Sequence, residues 1–235
     1  DSELRWRELE QDGIVGEVVF PNTVPPFFPS FVLFAGPPTP EDYEHRLAGI
    51  RAHNRWLADF VAEAPERRAG IGQIFVNDVD DAIADARWIA EHGLRGGVLL
   101  PNIAPDVKWV KPLYDPVYDR LWAVLEELGL PVNVHGGTGL PDYGRYPVAQ
   151  LLYINEVPFY AQRPLVQLIL SGVFERFPGL KFVMTETGCA WVPPLLQRLD
   201  SIMARIRDTG ATGEIRYSRD VVLPKLPSEY FAQNC

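Results

Sequence analysis

The amino-acid sequence predicts an α/β fold in which helices cover a parallel sheet, and it favours a (β/α)8 barrel over an open doubly wound sheet. Apolar, strand-like segments alternate with amphipathic, helix-like segments along all 235 residues, and a crossover helix is the usual connection between parallel strands. The glycine fingerprint of dinucleotide-binding sheets and the GxxxxGK[ST] phosphate loop are both absent from the sequence. These absences favour the barrel.

The first strand and helix are separated by a long connection. A valine-rich run over 13–20 ends at Pro21 and predicts a strand. Over 41–63, apolar residues recur at alternating steps of four and three, which predicts a helix with Thr39 as its N-cap.

Two further strand and helix pairs follow. A strand over 68–76 precedes Asp78, which is the expected N-cap of a helix that stops at Gly93. A strand over 97–100 precedes a helix over 115–129, which begins with Asp-Pro and closes at a glycine.

The last part of the chain repeats the pattern. We expect strands over 130–135 and 180–187 and helices over 164–171 and 194–207. A sixth strand is possible near Cys235. The barrel would therefore be a single domain over 1–235 that lacks its first and eighth strands.

Composition excludes several classes of partner. The net charge of −9 argues against nucleic acid and anionic membranes, which both require clustered Lys and Arg. No apolar run reaches the length of a membrane span. The 2 cysteines do not suggest a disulfide framework, so we expect a cytoplasmic protein. Because the chain begins without Met or a signal-peptide core, we expect it to be trimmed or to begin inside a larger protein.

His135 is the first candidate functional residue. It closes an apolar strand and is followed directly by Gly136 and Gly137. An imidazole at the carboxyl end of a parallel strand can act as a proton carrier or metal ligand. The alternative is a histidine that only caps the strand through a hydrogen bond.

Glu186 is the second candidate. It ends the next predicted strand and precedes Thr187 and Gly188, so on parallel neighbours it and His135 could face one cavity. A carboxylate there can act as a general base or join a metal shell. The alternative is a salt bridge to a nearby arginine.

Two connections are longer than typical βα loops, which have roughly two to six residues. The first, over 21–34, is rich in proline and phenylalanine. The second runs from His135 to Arg163. Its aromatic residues suit a flat substrate and its arginines suit a carboxylate, although the same residues could pack between subunits. The candidate substrate-binding residues are Arg145, Tyr153, Asn155 and Arg163.

Two buried asparagines are also expected. Asn54 lies on the apolar stripe of its helix, which indicates a hydrogen-bonding role in the fold. Asn133 lies two residues before His135 on the same strand face, where it could orient the histidine.

Several motifs together resemble the amidohydrolase-related family, in the branch that includes aminocarboxymuconate semialdehyde decarboxylase and γ-resorcylate decarboxylase. They are PVNVHGG at 131–137, GVFERFPGLK at 172–181 and ETGCAWVP at 186–193, supported by HNRWL at 53–57 and PERR at 65–68. The resemblance extends over essentially the whole chain.

The resemblance implies a distorted (β/α)8 barrel with one divalent metal, commonly zinc, at the carboxyl ends of the strands. His135 matches the family's ligand on the fifth strand, whereas the ligands of the first and eighth strands have no match in this sequence. Many relatives carry a histidine that acts on substrate at the sixth strand, where this sequence has Glu186.

We therefore expect a metal-dependent hydrolase that acts on a small carboxylated or aromatic molecule through metal-activated water. The first alternative is a nonoxidative decarboxylase of the same family, and the second is a barrel that binds a ligand without turning it over. In each case we expect a homo-oligomer, either a dimer or a tetramer, that binds a small molecule.

Overall fold

A computed structural model describes residues 2–21 and 36–235. Its main sheet has five parallel strands in the spatial order β1-β2-β3-β4-β5. The strands are β1 (Glu17–Val19), β2 (Arg68–Gln73), β3 (Gly97–Leu99), β4 (Val132–His135) and β5 (Phe182–Thr185). Each strand pairs with the next one along the chain, which is the arrangement that successive crossover connections produce. All five predicted strands are confirmed.

Helices occupy most of the connections. They are α1 (Ser2–Gln11), α2 (Tyr43–Ala62), α3 (Val79–Glu91), α4 (Asp119–Leu128), α5 (Ala149–Ala161), α6 (Arg163–Leu170), α7 (Val173–Arg176), α8 (Val192–Thr209) and α9 (Pro227–Asn234). A short antiparallel hairpin, β6 (Ala211–Thr212) and β7 (Ile215–Arg216), follows α8. No helix in the described ranges is long and apolar enough to cross a membrane.

The ends of the helices test the capping residues that the sequence predicted. Asp78 caps α3 as predicted, because its side chain accepts hydrogen bonds from the backbone amides of Asp80 and Asp81. Gly129 closes α4 in the left-handed conformation, with φ 64°. The predicted N-cap of α2 was wrong: the helix begins after Asp42, and Thr39 instead donates a hydrogen bond to the Asp42 carboxylate at 3.1 Å.

The long second connection is the largest difference from the sequence prediction. Residues 149–161 form α5 and not a loop, although Pro158 lies inside the helix. The possible strand near Cys235 is also absent, because α9 occupies residues 227–234. The predicted first loop, over 21–34, lies outside the described residues from position 22 onwards.

The two faces of the sheet have different surroundings. Val98, Val132 and Phe182 face the helices in the main apolar core. Leu99, Asn133 and Val183 lie side by side in register on the opposite face, which we call the inner face. His135 is two residues beyond Asn133, so it belongs to the inner face at the carboxyl end of β4.

Asn54 has the structural role that its position predicted. Its amide nitrogen donates to the Gln73 carbonyl, and its amide oxygen accepts from the Gln73 backbone nitrogen, both at 2.9 Å. These two hydrogen bonds join α2 to the end of β2.

Candidate functional site

His135 and Glu186 meet at the carboxyl ends of neighbouring strands. β4 and β5 are paired from Val132 and Phe182 up to His135 and Thr185, so the residue after Thr185 begins its loop directly beside the imidazole. The Nε2 atom of His135 lies 3.1 Å from Oε2 of Glu186. The imidazole is 10% exposed and the carboxylate 74% exposed, so the pair opens to solvent on the glutamate side.

The contacts of the imidazole define where its protons lie. Nδ1 is 2.7 Å from the carbonyl oxygen of Gly136. A carbonyl only accepts hydrogen bonds, so Nδ1 donates in this contact and Nε2 is the nitrogen that faces Glu186. Nε2 faces a carboxylate oxygen at hydrogen-bond distance, so a proton between the two atoms would complete a charge-assisted hydrogen bond. His135 and Glu186 thus form a proton-holding pair at the sheet edge.

Glu186 has an unusual backbone. Its φ is 56°, and it is the one non-glycine residue with positive φ among the described residues. A side chain with a Cβ adopts this region at a cost of about 1 kcal/mol or more, and such conformations cluster at functional sites. The left-handed turn at Glu186 takes its backbone out of the strand direction.

Gly136 allows the two loops to approach closely. A Cβ at position 136 would collide with the backbone carbonyl of Glu186. Position 136 therefore requires glycine because the ends of β4 and β5 pack too closely there for a Cβ atom.

The surroundings of the pair fix the imidazole and the loop that follows it. The Phe20 ring meets the His135 ring edge to face, with centroids 5.4 Å apart. Thr138 donates to the His135 carbonyl at 3.2 Å, and Tyr153 of α5 donates to the Gly137 carbonyl at 2.8 Å. Burial raises the pKa of the Tyr153 hydroxyl, so it remains protonated and able to donate.

A cavity of about 670 Å³ opens beside this loop. Thr138 and Tyr153 line it together with residues from the loop after β3, including Asn102 and Trp109. Its charged lining residues in the described ranges are Asp106 and Asp142. His135 and Glu186 are not among the lining residues, so the cavity is adjacent to the pair and does not contain it.

The predicted substrate-binding residues are separated by the fold. Tyr153 lines the cavity and contacts the loop after His135. Arg145 and Asn155 are exposed and do not line the cavity. Arg163 lies near the Tyr160 ring at 5.8 Å, and its buried Nε atom has no hydrogen-bond partner among the described residues.

Asn102 is a site residue that the sequence reasoning missed. It is buried, and its amide donates to the carbonyl oxygens of Thr138 at 3.1 Å and Tyr160 at 3.2 Å. It therefore ties the loop after β4 to α5. Its position just after the β3 strand was a usable signal, because polar residues at strand ends are common in such sites.

Asn133 does not orient the histidine. Its amide donates to the carbonyls of Gly96 at 2.8 Å and Val98 at 3.2 Å, which are backbone groups at β3. The predicted orienting role was wrong because the neighbouring strand offers closer acceptors.

The donor set for a metal is incomplete among the described residues. No group of three His, Cys, Asp or Glu side chains that could hold an ion occurs there. The sequence of 22–35 adds none of these residue types. A catalytic zinc site usually takes three protein ligands, so His135 and Glu186 alone do not fit a complete site.

The fold and site together define a parallel (β/α)-barrel architecture with a histidine and a carboxylate at adjacent strand ends. The sequence matches the family model described as amidohydrolase over residues 4–216. The chain belongs to the amidohydrolase family.

Two characterised relatives are decarboxylases. The 2-amino-3-carboxymuconate-6-semialdehyde decarboxylase of Dictyostelium discoideum is 27% identical over 189 residues, covering 80% of this chain and 48% of that protein. The γ-resorcylate decarboxylase of a Polaromonas species is 27% identical over 165 residues, covering 68% of this chain and 50% of that protein. The chain thus spans about half the length of the curated relatives it matches.

A solved structure confirms the fold. The 5-carboxyvanillate decarboxylase of Novosphingobium aromaticivorans, complexed with manganese and 4-hydroxy-3-methoxy-5-nitrobenzoic acid, superposes with a TM-score of 0.72. It is 20% identical and is matched over 98% of this chain and 60% of its own. At this identity the likeness shows the shared barrel fold.

Proposed function

We propose that this chain is part of a nonoxidative decarboxylase that acts on a small aromatic or unsaturated carboxylic acid. The observation that carries the proposal is the His135 and Glu186 pair, with Nε2 and Oε2 3.1 Å apart at adjacent strand ends. The two curated relatives described above support the same reaction class.

The chemistry needs a proton at a defined place. In nonoxidative decarboxylation the bond between the carboxylate carbon and the adjacent carbon breaks, carbon dioxide leaves, and the electron pair stays on the adjacent carbon. That carbon then takes one proton. A proton held between Nε2 of His135 and Oε2 of Glu186 would lie at the open side of the pair, where the pair can serve as the general acid.

Tyr153 and Asn102 would hold in place the loop next to this proton donor. Tyr153 fixes the Gly137 carbonyl, and Asn102 fixes the Thr138 carbonyl, so the loop after β4 is tied at two successive residues. Such support keeps a catalytic side chain within the small positional tolerance that proton transfer requires.

Arg145, Asn155 and Arg163 remain proposals as substrate-binding residues. Of these, Arg163 has the most specific support, because its buried Nε atom is unpartnered among the described residues. A carboxylate is the natural partner for a guanidinium.

Hydrolysis is the second candidate function. A carboxylate beside a histidine could also activate water, and the family as a whole is described as amidohydrolase. The decarboxylase relatives favour the first candidate over this one.

We also propose a divalent metal cofactor, because a solved relative of the same fold is complexed with manganese. With Nε2 of His135 as one ligand of that ion, the proton for the adjacent carbon would be held by Glu186 alone. Zinc, our expectation from the sequence, is one candidate ion. Since the described donor set is incomplete, we assign no chemical step to the metal. A homo-oligomeric assembly is part of the same proposal.

The test is an assay of the intact natural protein against a panel of hydroxybenzoic acids and unsaturated amino-carboxylic acids. We expect carbon dioxide release that His135→Ala abolishes, while His45→Ala, at an exposed histidine on α2, leaves the rate unchanged. Turnover of ester or amide substrates without carbon dioxide release would establish hydrolysis and overturn the proposal.

A further inference from the structure

A second, smaller cavity lies between α2 and α3. Its volume is about 250 Å³, and its described lining residues all belong to these two helices. Sites for drug-sized ligands usually measure roughly 300–1,000 Å³, so this cavity fits a molecule about the size of one amino acid. None of its described lining residues belongs to the candidate site around His135 and Glu186.

Asp85 brings an incompletely paired carboxylate to this cavity. Its side chain is 8% exposed and lines the cavity. Nε of Arg51 donates to Oδ1 at 2.7 Å, but the same guanidinium also serves Asp81 at 2.8 Å. Oδ2 of Asp85 is buried and has no hydrogen-bond partner among the described residues. A buried carboxylate oxygen without a donor costs free energy, which a ligand that donates a hydrogen bond would recover.

Burial has a measurable consequence for the same carboxylate. It raises the pKa of the Asp85 carboxyl, although the hydrogen bond from Arg51 opposes the change. One guanidinium shared between two carboxylates therefore does not compensate for the loss of water around Asp85. A positively charged group beside Asp85 would favour its ionised form.

Arg55 supplies a free charge of the opposite sign. It lies one helical turn after Arg51 on α2 and lines the same cavity. Its side chain is exposed, and it makes no hydrogen bond or ion pair with any described residue. A guanidinium with all its N–H groups available can bind a carboxylate through two parallel hydrogen bonds.

Trp88 of α3 gives the cavity an aromatic wall. Its indole is half-buried and lines the cavity. The His92 ring stacks on the indole, with centroids 3.9 Å apart and planes 13° apart. Because His92 is not a lining residue, it covers the indole from outside the cavity. An aromatic group inside the cavity can therefore pack against Trp88.

We propose that the cavity between α2 and α3 binds an amino acid with an aromatic side chain, in its zwitterionic form. The ammonium group of the ligand donates to Asp85, its carboxylate pairs with Arg55, and its ring packs against Trp88. A ligand with only a positive charge would leave Arg55 unpaired, and one with only a negative charge would leave Asp85 unpaired. The inference does not depend on which reaction the candidate site performs.

Isothermal titration calorimetry of the intact natural protein tests the proposal with three probes. L-phenylalanine carries both charges, phenethylamine lacks the carboxylate, and 3-phenylpropanoate lacks the ammonium group. We expect L-phenylalanine to bind with a dissociation constant of about 1 mM or tighter. The other two probes should bind at least about tenfold more weakly, because each loses one charged contact.

Two substitutions locate the binding. Arg55→Ala should weaken L-phenylalanine at least about tenfold and leave phenethylamine unchanged, whereas Asp85→Asn should weaken L-phenylalanine and leave 3-phenylpropanoate unchanged. Arg95→Ala is the matched control, because Arg95 is an exposed arginine outside the cavity. Circular dichroism checks that each variant is folded. Since Arg55 is exposed, its variant tests the proposal even if Asp85→Asn does not fold.

Three results would overturn the proposal. The first is no heat of binding with L-phenylalanine at millimolar concentration. The second is equal affinity for the three probes, which would show that the charges are not recognised. The third is unchanged affinity in folded Arg55→Ala, which would place the bound molecule elsewhere on the protein.

Discussion

The Oε2 atom of Glu186 lies 3.1 Å from Nε2 of His135, although the two residues are 51 positions apart in the sequence and Glu186 has a left-handed backbone. The parallel pairing of His135 with Thr185 places the residue after Thr185 beside the imidazole. The left-handed φ of 56° at Glu186 costs free energy locally, and the pairing of β4 with β5 keeps the residue in this conformation. The strained backbone and the proposed catalytic role therefore fall on one residue.

Replacing Glu186 by glycine tests this coincidence. Glycine adopts positive φ without the Cβ clash, so Glu186→Gly should leave the free energy of unfolding unchanged or raise it by up to about 1 kcal/mol. Turnover should fall by about 10²- to 10⁴-fold, because the general acid pair is lost. Urea denaturation and steady-state kinetics measure the two effects. A variant that is less stable yet fully active would contradict the assignment.

Replacing His135 by alanine should abolish turnover in the intact protein at little cost in stability. The imidazole is only 10% exposed, but it lies at a strand end with the Glu186 side of the pair open to solvent, so the loss in unfolding free energy should stay within about 1–2 kcal/mol. Thermal denaturation and the decarboxylase assay provide the comparison. If activity persists while the melting temperature drops sharply, His135 is a structural residue.

Gly136→Ala should destabilise the protein by about 1–3 kcal/mol, because the new Cβ would collide with the Glu186 carbonyl and force the two loops apart. Gly188→Ala is the matched control. Gly188 has a positive φ of 66° but no neighbour within 4 Å of an added Cβ, so only the conformational cost of about 1 kcal/mol applies. Denaturant titration measures the free energy of unfolding of both variants. Equal losses of stability would show that the close approach of Gly136 to Glu186 is unimportant.

Glu17 makes stability depend on pH at acid values. The hydrogen bond from Arg5 lowers the pKa of the Glu17 carboxyl against the opposing effect of burial, and Arg68 adds a further hydrogen bond at 3.3 Å. A folded pKa below the unfolded one gives stability that is present above the ordinary pKa, 4.5, and is lost as the pH falls through the lower folded value.

The Glu17→Gln variant should therefore be less stable than the unmodified protein by about 1–3 kcal/mol at neutral pH. The difference in melting temperature should shrink as the pH falls below the ordinary carboxyl range, since both proteins then carry an uncharged group at this position. A difference that stays constant down to strongly acid pH would show that the charge of Glu17 contributes nothing to stability.

The 235-residue chain by itself should bind zinc or manganese weakly. His135 and Glu186 are adjacent candidate ligands, and the described residues contain no group of three. Metal analysis after dialysis, combined with intact-mass measurement, should find well below one ion per chain. One tightly retained ion per chain would overturn the ligand assignment.

Local sequence signals predicted much of this fold. The alternation of apolar strands with amphipathic helices predicted all five strands of the sheet, because burial of one face imposes a period on each element. Asp78 and Gly129 marked helix ends correctly, since capping depends on one side chain or one backbone conformation. His135 was identified from its position at a strand end.

Helix α5 escaped prediction for two physical reasons. Its apolar residues are spread around the helix and mixed with the polar Gln150, Asn155 and Glu156, so no periodic contrast distinguishes a buried face from an exposed one. Pro158 also has no backbone N–H group to donate a helical hydrogen bond, so the local sequence argues against a helix here. Tertiary contacts such as the Tyr153 hydrogen bond to Gly137 outweigh that local preference.

The sequence by itself determined the five strands of the sheet, most of the helices between them and the strand-end histidine, because these follow from local preferences and the periodicity of burial. Only the tertiary structure decided that Glu186 reaches His135, that Asn133 bonds to β3 and that Asn102 ties two loops together. Each of these contacts joins residues at least 35 positions apart. Such pairings depend on strand register and loop path, which are set by the packing of the whole chain and not by any short segment.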